Sequence, residues 1–434
     1  MADHLGHLVE RRRPTAEARS SSVFRGGQAA ADRALRQLAL DGYAGRRRTA
    51  YPQPRRAVSR LSPWIRHGLL SLPQVWDSVA GGHPDDVAEF RQSLLRQEYS
   101  RHLYARLGRD LWSLGDDRSG GDNEPDQTPA ERRQGRADGA VPVGHDTPPP
   151  GWDRRMGCLD LPLDELEEDG WVVDEGRRWL AAHWLERGLQ WQDGAREFHR
   201  HLLDGSTAAN GVGWLEAHGH LGGRFEPLTR WDVEARAPGL CASCELVYRC
   251  PVERAAPALP PTPTTPLSAP APSPPTAGST PTTPPPAGRL GRDPDPAATA
   301  GPVVPRVEGT PDHVWLTAES MGDADPALAA HPDLPAVFVF DAPLLARLRL
   351  STTRLSFLVE TLAELATRRR LELWLGDPVE VLADRRLAAT FTPVPGWHRR
   401  AAALAVVVCH PWPWLRSPNE SRIDSFDCWK RSVS

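Results

Sequence analysis

From Phe24 to about Leu103, apolar positions recur at helical spacing, as Leu35 and Leu38 do in GGQAAADRALRQLALDGY, with Gly and Pro punctuating the ends. This predicts a run of helices. The pattern lapses from Ser113 to Gly151, where SLGDDRSGGDNEPDQTPAERRQGRADGAVPVGHDTPPPG has almost no large apolar residue, and a disordered insertion is expected. Helical spacing resumes from Leu159 to about Glu216. Residues 1–22 are polar and Arg-rich without periodicity, which reads as a frayed leader.

From 255 to 305 the chain is dominated by Pro, Thr, Ala and Ser, a composition that favours an extended, semi-rigid linker. Beyond it the period changes. HVWLTA, AVFVFD and LELWLG are short apolar runs, and TRLSFLVETLAELATRRR between the second and third is an amphipathic helix. Strand, strand, helix, strand in that order predicts a small, Rossmann-like parallel α/β domain. The expected division is therefore a leader (1–22), an all-α domain (23–254, with its insertion at 113–151), a linker (255–305) and an α/β domain (306–434).

Charge and composition narrow the function classes. A formal net charge of -4 excludes a polycation that binds nucleic acid through bulk electrostatics, so any DNA contact needs a local patch. The arginines at 91, 96, 101, 106 and 109 are candidates, although such a run is more often a solvated helix face. No stretch reaches the roughly 18 apolar residues of a membrane helix. Six cysteines in 434 residues are too sparse for the disulfide framework of a secreted domain. A cytoplasmic monomer without a membrane partner is expected.

Four of those cysteines form a pattern. Cys241, Cys244 and Cys250 lie in CASCELVYRCPVE as C-x2-C-x5-C-P, a spacing of soft thiolates suited to a metal, and Cys158 is a plausible fourth ligand. Cys409 and Cys428 read as free thiols. A second candidate is SRLSPWIRHGLL, where Ser62 is placed to cap a helix with Pro63 as its first residue. With Arg60 alongside, such a start can cradle a phosphate, though Ser-Pro before a helix is usually only a cap.

The run SRLSPWIRHGLLSLPQV resembles the photolyase/cryptochrome motif that wraps the FAD pyrophosphate. LLRQEYSRHLYAR, GWVVDEGRRWLAAHWL and LQWQDGAREFHRHLLDGSTAANGVGWLEAHG are similar to the succeeding flavin-domain helices, in family order, from Phe24 to about Pro227. The resemblance implies an all-α FAD-binding domain. Tyr51, Val58, Ser59, Arg60, Leu61 and Ser62 take the phosphate and ribitol positions, Arg177 and Asp204 the ion pair beside the ring, and Asn210 the position facing flavin N5, where an amide helps control protonation. Trp214 and Trp191 match the first two members of the family's tryptophan chain, with Trp112 and Trp152 as candidates for the third. Taken alone, Asp204-Gly205 reads as a turn, Asn210 as a cap, and each Trp as core packing.

The departures matter equally. Where the family places a carboxylate, an Asn, a Met and two stacking tryptophans around a cyclobutane dimer, this chain has Ser93, Asp174, Arg178, Arg96 and Glu216. Neither Val173 nor Asp174 is the histidine of 6-4 photoproduct enzymes. The cysteine arrangement resembles that of the iron-sulfur photolyases of bacteria, which implies a [4Fe-4S] cluster; zinc on the same thiolates, or no ligand, are the alternatives.

The region after the linker is similar to the first half of the family's antenna domain, here placed after the flavin domain instead of before it. Thr317, Ala318 and Glu319 replace the usual Arg-Arg-Asp, and the later strands look largely missing, so which antenna pigment binds, if any, is unknown. The last residues match nothing assignable. The resemblance implies blue-light electron transfer from FAD to pyrimidine dimers in damaged DNA. The alternatives are a cryptochrome-like photosensor or redox flavoprotein acting through a protein partner, and a relic that binds FAD without turnover.

Overall fold

The computed structural model describes residues 20–114, 151–253 and 290–433. The expected leader up to residue 19, the insertion from 115 to 150 and the Pro-rich stretch from 254 to 289 lie outside these residues. The first unit is helical: α1 (Gln28–Arg36), α2 (Ser62–Arg66), α3 (Leu72–Ser78), α4 (Pro84–Leu107), α5 (Gly157–Glu168), α6 (Asp174–Glu186), α7 (Trp191–His201), α8 (Thr207–Ala217) and α9 (Arg230–Arg236). Local chemistry fixes the ends. Pro84 opens α4 with Asp85 and Asp86 in its first turn, where acidic side chains suit the helix dipole, and Gly108 ends it at φ 55°. Ser206 and Thr229 cap α8 and α9 with their hydroxyls. The large side chains Trp179, Trp184, Trp191 and Trp214 fill the middle of this unit.

Residues 290–305, read in the sequence as linker, are partly exposed but anchored at buried Asp293 and Ala300. They carry α10 (Pro296–Ala300) and a buried Asp293, which approaches Arg106 of α4 at 3.5 Å. Then follow β1 (Arg306–Val307), β2 (His313–Leu316), α11 (Pro326–Ala330), β3 (Ala336–Asp341), α12 (Ala342–Leu348), α13 (Thr352–Ala366), β4 (Leu371–Gly376), β5 (Arg386–Thr390), α14 (Trp397–Ala403), β6 (Ala405–His410) and α15 (Phe426–Ser432).

The strands form one mixed sheet of six in the order β1-β6-β5-β2-β3-β4, parallel except for β1. Two of these strands correct the expectation that later strands are largely missing: RLAAT and AVVVCH are β5 and β6. Their short apolar runs gain strand character only by pairing with β2 and each other. One face of the sheet buries Val314, Phe338 and Phe340 against Leu355, Leu358 and Leu362 of α13. The other buries Val337, Val339 and Trp315, with Trp315 stacked on Trp397 of α14 at 5.1 Å.

The two units share a core, since Phe357, Ile423, Phe426 and Trp429 from the second pack into the hydrophobic cluster of the first. No helix among the described residues is long and apolar enough to cross a membrane.

Candidate functional site

The loop before α2 is fixed by its backbone. Ala50 and Tyr51 donate their N–H groups to the Arg236 carbonyl at 2.8 and 3.3 Å, and Arg56 Nε donates to the Ala50 carbonyl at 2.6 Å. Arg56 also pairs with the buried Glu165, whose carboxyl is pushed up by burial and pulled back by Arg56. Arg60 adopts φ 54°, the left-handed region that a long side chain seldom enters without a reason, and its guanidinium lies 5.7 Å from the Trp171 ring centre. Leu61 is the N-cap of α2 and Ser62 its first residue, one position from the expected cap. The Ser62 hydroxyl instead accepts the Trp171 indole N–H at 3.1 Å. Val58 and Ser59 are half-buried and Leu61 fully buried.

Arg177 of α6 and Asp204 in the α7–α8 turn meet as expected from the resemblance, with Nη2 donating to Oδ2 at 2.7 Å. Arg177 Nε is held by the Val172 carbonyl at 2.8 Å. Asp204 Oδ1 is buried and has no hydrogen-bond partner among the described residues. Such an orphaned acceptor beside a guanidinium suits a bound group that brings its own donor, because a buried oxygen left unpaired costs about 1–3 kcal/mol. Asn210 of α8 donates Nδ2 to the Ala195 carbonyl at 2.8 Å, which pins its amide against α7.

Trp214 and Trp191 are buried and their indole nitrogens lack partners. Trp191 stacks on half-buried Trp112 at 5.2 Å and 9°. Trp214 packs on Gly194, where an added Cβ would meet its ring at 2.2 Å, so only glycine admits the indole. It also touches Phe198 at 5.2 Å and Trp184 at 6.4 Å, and Trp184 lies 4.7 Å from half-buried Trp152. Both loose candidates are thus joined to the buried pair. Trp184 was missed by sequence reasoning; its place on α6, two turns beyond Arg177, was the available signal.

The residues at the positions the resemblance assigned to a substrate pocket pair locally. Arg96 lies 3.9 Å from Glu216 and 4.4 Å from the Phe426 ring centre. Burial raises the Glu216 carboxyl and Arg96 opposes the shift. Ser93 meets the Tyr43 hydroxyl at 3.2 Å, and Arg178 pairs with Glu175 and Glu226. Three of the five arginines in the run are committed, since Arg91 stacks on Trp76, Arg101 on Trp412, and Arg106 donates to the carbonyls of Gly291, Asn419 and Ser421, whereas Arg109 is exposed.

Cys158, Cys241, Cys244 and Cys250 line one small cavity of about 20 Å³, with Met156, Val233 and Leu240 in its apolar wall. Burial first, then the neighbouring thiols, pushes Cys158 up to about 12, and burial pushes Cys241 up to about 11. Crowded buried thiols of this kind ionise readily only beside a cation. The Gly157 N–H donates to Cys244 Sγ at 3.4 Å, and that sulfur donates to the Arg155 carbonyl at 3.5 Å. Among the described residues, no group of three or more His, Cys, Asp or Glu side chains is arranged to hold a metal ion, so the four thiols share a cavity without closing around one point. Cys409 and Cys428 are free.

No family model matches the chain. It is 25% identical over 176 residues to cryptochrome DASH, chloroplastic/mitochondrial, of Ostreococcus tauri, covering 38% of this chain and 29% of that protein. It is 24% identical over 181 residues to a deoxyribodipyrimidine photo-lyase of Synechococcus sp., covering 36% and 31%. These two matches support a place in the photolyase/cryptochrome superfamily. The chain spans less than a third of the length of either relative. A bacterial class III photolyase from Agrobacterium tumefaciens aligns with TM-score 0.36 at 20% identity over 48% of this chain and 42% of that one. An archaeal photolyase from Sulfolobus tokodaii gives 0.37 at 18% over 52% and 47%.

Proposed function

We propose that this chain is an FAD-binding flavoprotein of photolyase type in which tryptophans connect a buried flavin to the surface under blue light. The observation that carries the reading is the Arg177–Asp204 pair with its orphaned, buried Oδ1. Tyr51, Val58, Ser59, Arg60, Leu61 and Ser62 would hold the phosphate and ribitol end of FAD, and Arg177, Asp204 and Asn210 its ring. When bound, FAD supplies a group that exchanges an electron on absorbing blue light. Trp214, Trp184 and Trp152, and Trp191 with Trp112, give stepping stones from the buried interior to half-buried positions. Cys158, Cys241, Cys244 and Cys250 would hold a [4Fe-4S] cluster, since a polynuclear cluster spreads its thiolates over a wider volume than one zinc ion does.

Two destinations for the electron are in play. The similarity to a photo-lyase favours pyrimidine dimers in DNA. The Arg96–Glu216 contact beneath Phe426, and the commitment of Arg91, Arg101 and Arg106 to internal partners, favour a redox or photosensory role through a protein partner. The first reading needs free cations along the DNA path, and the second rests on the contacts just named.

The test is the anaerobic absorption spectrum with flavin, iron, sulfide and zinc analysis of the purified chain, followed by blue light with cyclobutane-dimer DNA. Flavin photoreduction without dimer loss is expected, and flavin binding should be lost in Asp204→Ala. Dimer loss under light would establish repair, zinc in place of iron would overturn the cluster, and absence of flavin would overturn the whole reading.

A further inference from the structure

At one edge of the sheet, β4 pairs with β3 on one side alone among the described residues. The pairing is regular from Ala336↔Leu371 to Asp341↔Gly376, and the Ala336 N–H donates to the Arg370 carbonyl at 2.9 Å. Backbone groups alternate sides along a strand, so Glu372 and Trp374 share Arg370's side and bond to β3, whereas Leu371, Leu373 and Leu375 turn their N–H and C=O groups outward. An open edge of this kind is normally blunted by proline, a bulge or a lone charge. This one, LELWLG, has no proline or bulge, and its single charge, Glu372, is occupied within the chain by Arg385 at 2.8 Å. Trp374 and Leu375 are 46% and 40% exposed on opposite faces of the sheet.

Charge selects the occupant. The strand is preceded by Arg370, whose side chain is 79% exposed while Arg368 and Arg369 are engaged within the chain, and followed by Asp377 and Glu380. One end is basic and the other acidic, so an antiparallel copy of the same strand sets each end against its opposite. We propose that β4 is a self-association edge, pairing antiparallel with β4 of a second copy of this chain about a two-fold axis at Leu373. In that register Leu373 faces its own equivalent, Leu371 faces Leu375, and Trp374 faces Glu372. All the outward N–H and C=O groups of these leucines are paired, and Leu375 gains apolar cover from Leu371 and Leu373 of the copy. An isologous contact of this kind closes at two copies, joining two sheets into one. The proposal replaces the monomer expected from the sequence, and it stands independently of the flavin reading.

The experiment is sedimentation velocity on the full chain across micromolar concentrations, beside Leu375→Pro and Trp374→Lys. Leu375 donates no bond to β3, so proline there removes an outward donor and leaves the β3 ladder intact. A concentration-dependent dimer is expected, weakened about thirtyfold by Leu375→Pro through two lost hydrogen bonds, one per copy. Trp374→Lys, at an exposed side chain, is expected to weaken it as well and to guard against a folding defect in the proline variant. A wild-type chain that stays monomeric, or a dimer that both folded variants leave unchanged, overturns the proposal.

Discussion

Asp325 is buried at the start of α11, where its carboxylate accepts the N–H groups of Ala327 and Leu328 at 3.0 and 3.1 Å and the Thr390 hydroxyl at 2.9 Å. Burial outweighs these bonds and pushes it up to about 6. The sign follows: below about pH 4 the carboxyl is protonated in both folded and unfolded chains and carries no penalty. As the pH rises through about 6 the unfolded chain ionises freely while the folded one resists, so folding gives up about 3 kcal/mol. Asp325→Asn keeps an acceptor for the same donors and removes the charge. Denaturant unfolding at pH 4.5 and 7 is expected to show stability falling with pH in the wild type through this site, and that component absent from the Asn variant. Residue-scale chemistry of this kind was invisible in the sequence, because Asp325 before Pro326 reads as an ordinary cap and only the fold buries it beside Thr390 of β5.

Among elements, α15 was the least legible. Its sequence matched nothing assignable, since Ile423, Phe426 and Trp429 are too few to make a periodic face and acquire meaning only from what they meet. They meet α4. Tyr99 donates its hydroxyl to the Ile423 carbonyl at 3.1 Å, and Trp429 donates to His102 at 3.2 Å while lying 5.7 Å from the Tyr99 ring. The preceding segment adds Leu415 and Arg416, whose N–H groups donate to buried Glu98 at 2.5 and 3.0 Å. By contrast α1 and α7 were readable from helical spacing alone, because their apolar residues fall on one face. Trp429→Ala is expected to cost about 3–5 kcal/mol by leaving a cavity at the α4 interface. It should also free Phe426 from Arg96, so limited proteolysis is expected to cut the end of the chain faster in the variant than in the wild type.

At the scale of the molecule, the sequence predicts two units and leaves open how the second returns to the first. The answer lies in residues that the linear pattern could not connect. His67, just past α2, sits between the Ala318 carbonyl at 2.7 Å and the Leu203 carbonyl at 3.1 Å, and burial with Arg66 nearby holds its imidazole well below the usual range, so the neutral ring donates to one of the two. Glu319 pairs with Arg66. The loop after β2 therefore joins the α/β unit to the helical one.

Arg354 of α13 completes the joint. It is buried and donates to the carbonyls of His199 and Gly205, the latter at 2.6 Å, beside Asp204 of the candidate flavin site. Arg66 Nε reaches the same Gly205 carbonyl at 3.0 Å, so that oxygen keeps a donor if Arg354 is lost, whereas that of His199 does not. Arg354→Ala is therefore expected to cost about 3 kcal/mol, the penalty of an unpaired buried carbonyl plus lost packing. Because the Gly205 carbonyl belongs to the turn that positions Asp204, the same variant is expected to bind FAD more weakly while a distant surface variant such as Arg347→Ala does not. Equilibrium unfolding and flavin titration on both variants read the two effects separately. A stability loss with unchanged flavin affinity would confine Arg354 to the joint between the units, and a loss of both would make the α/β unit a structural support of the flavin pocket.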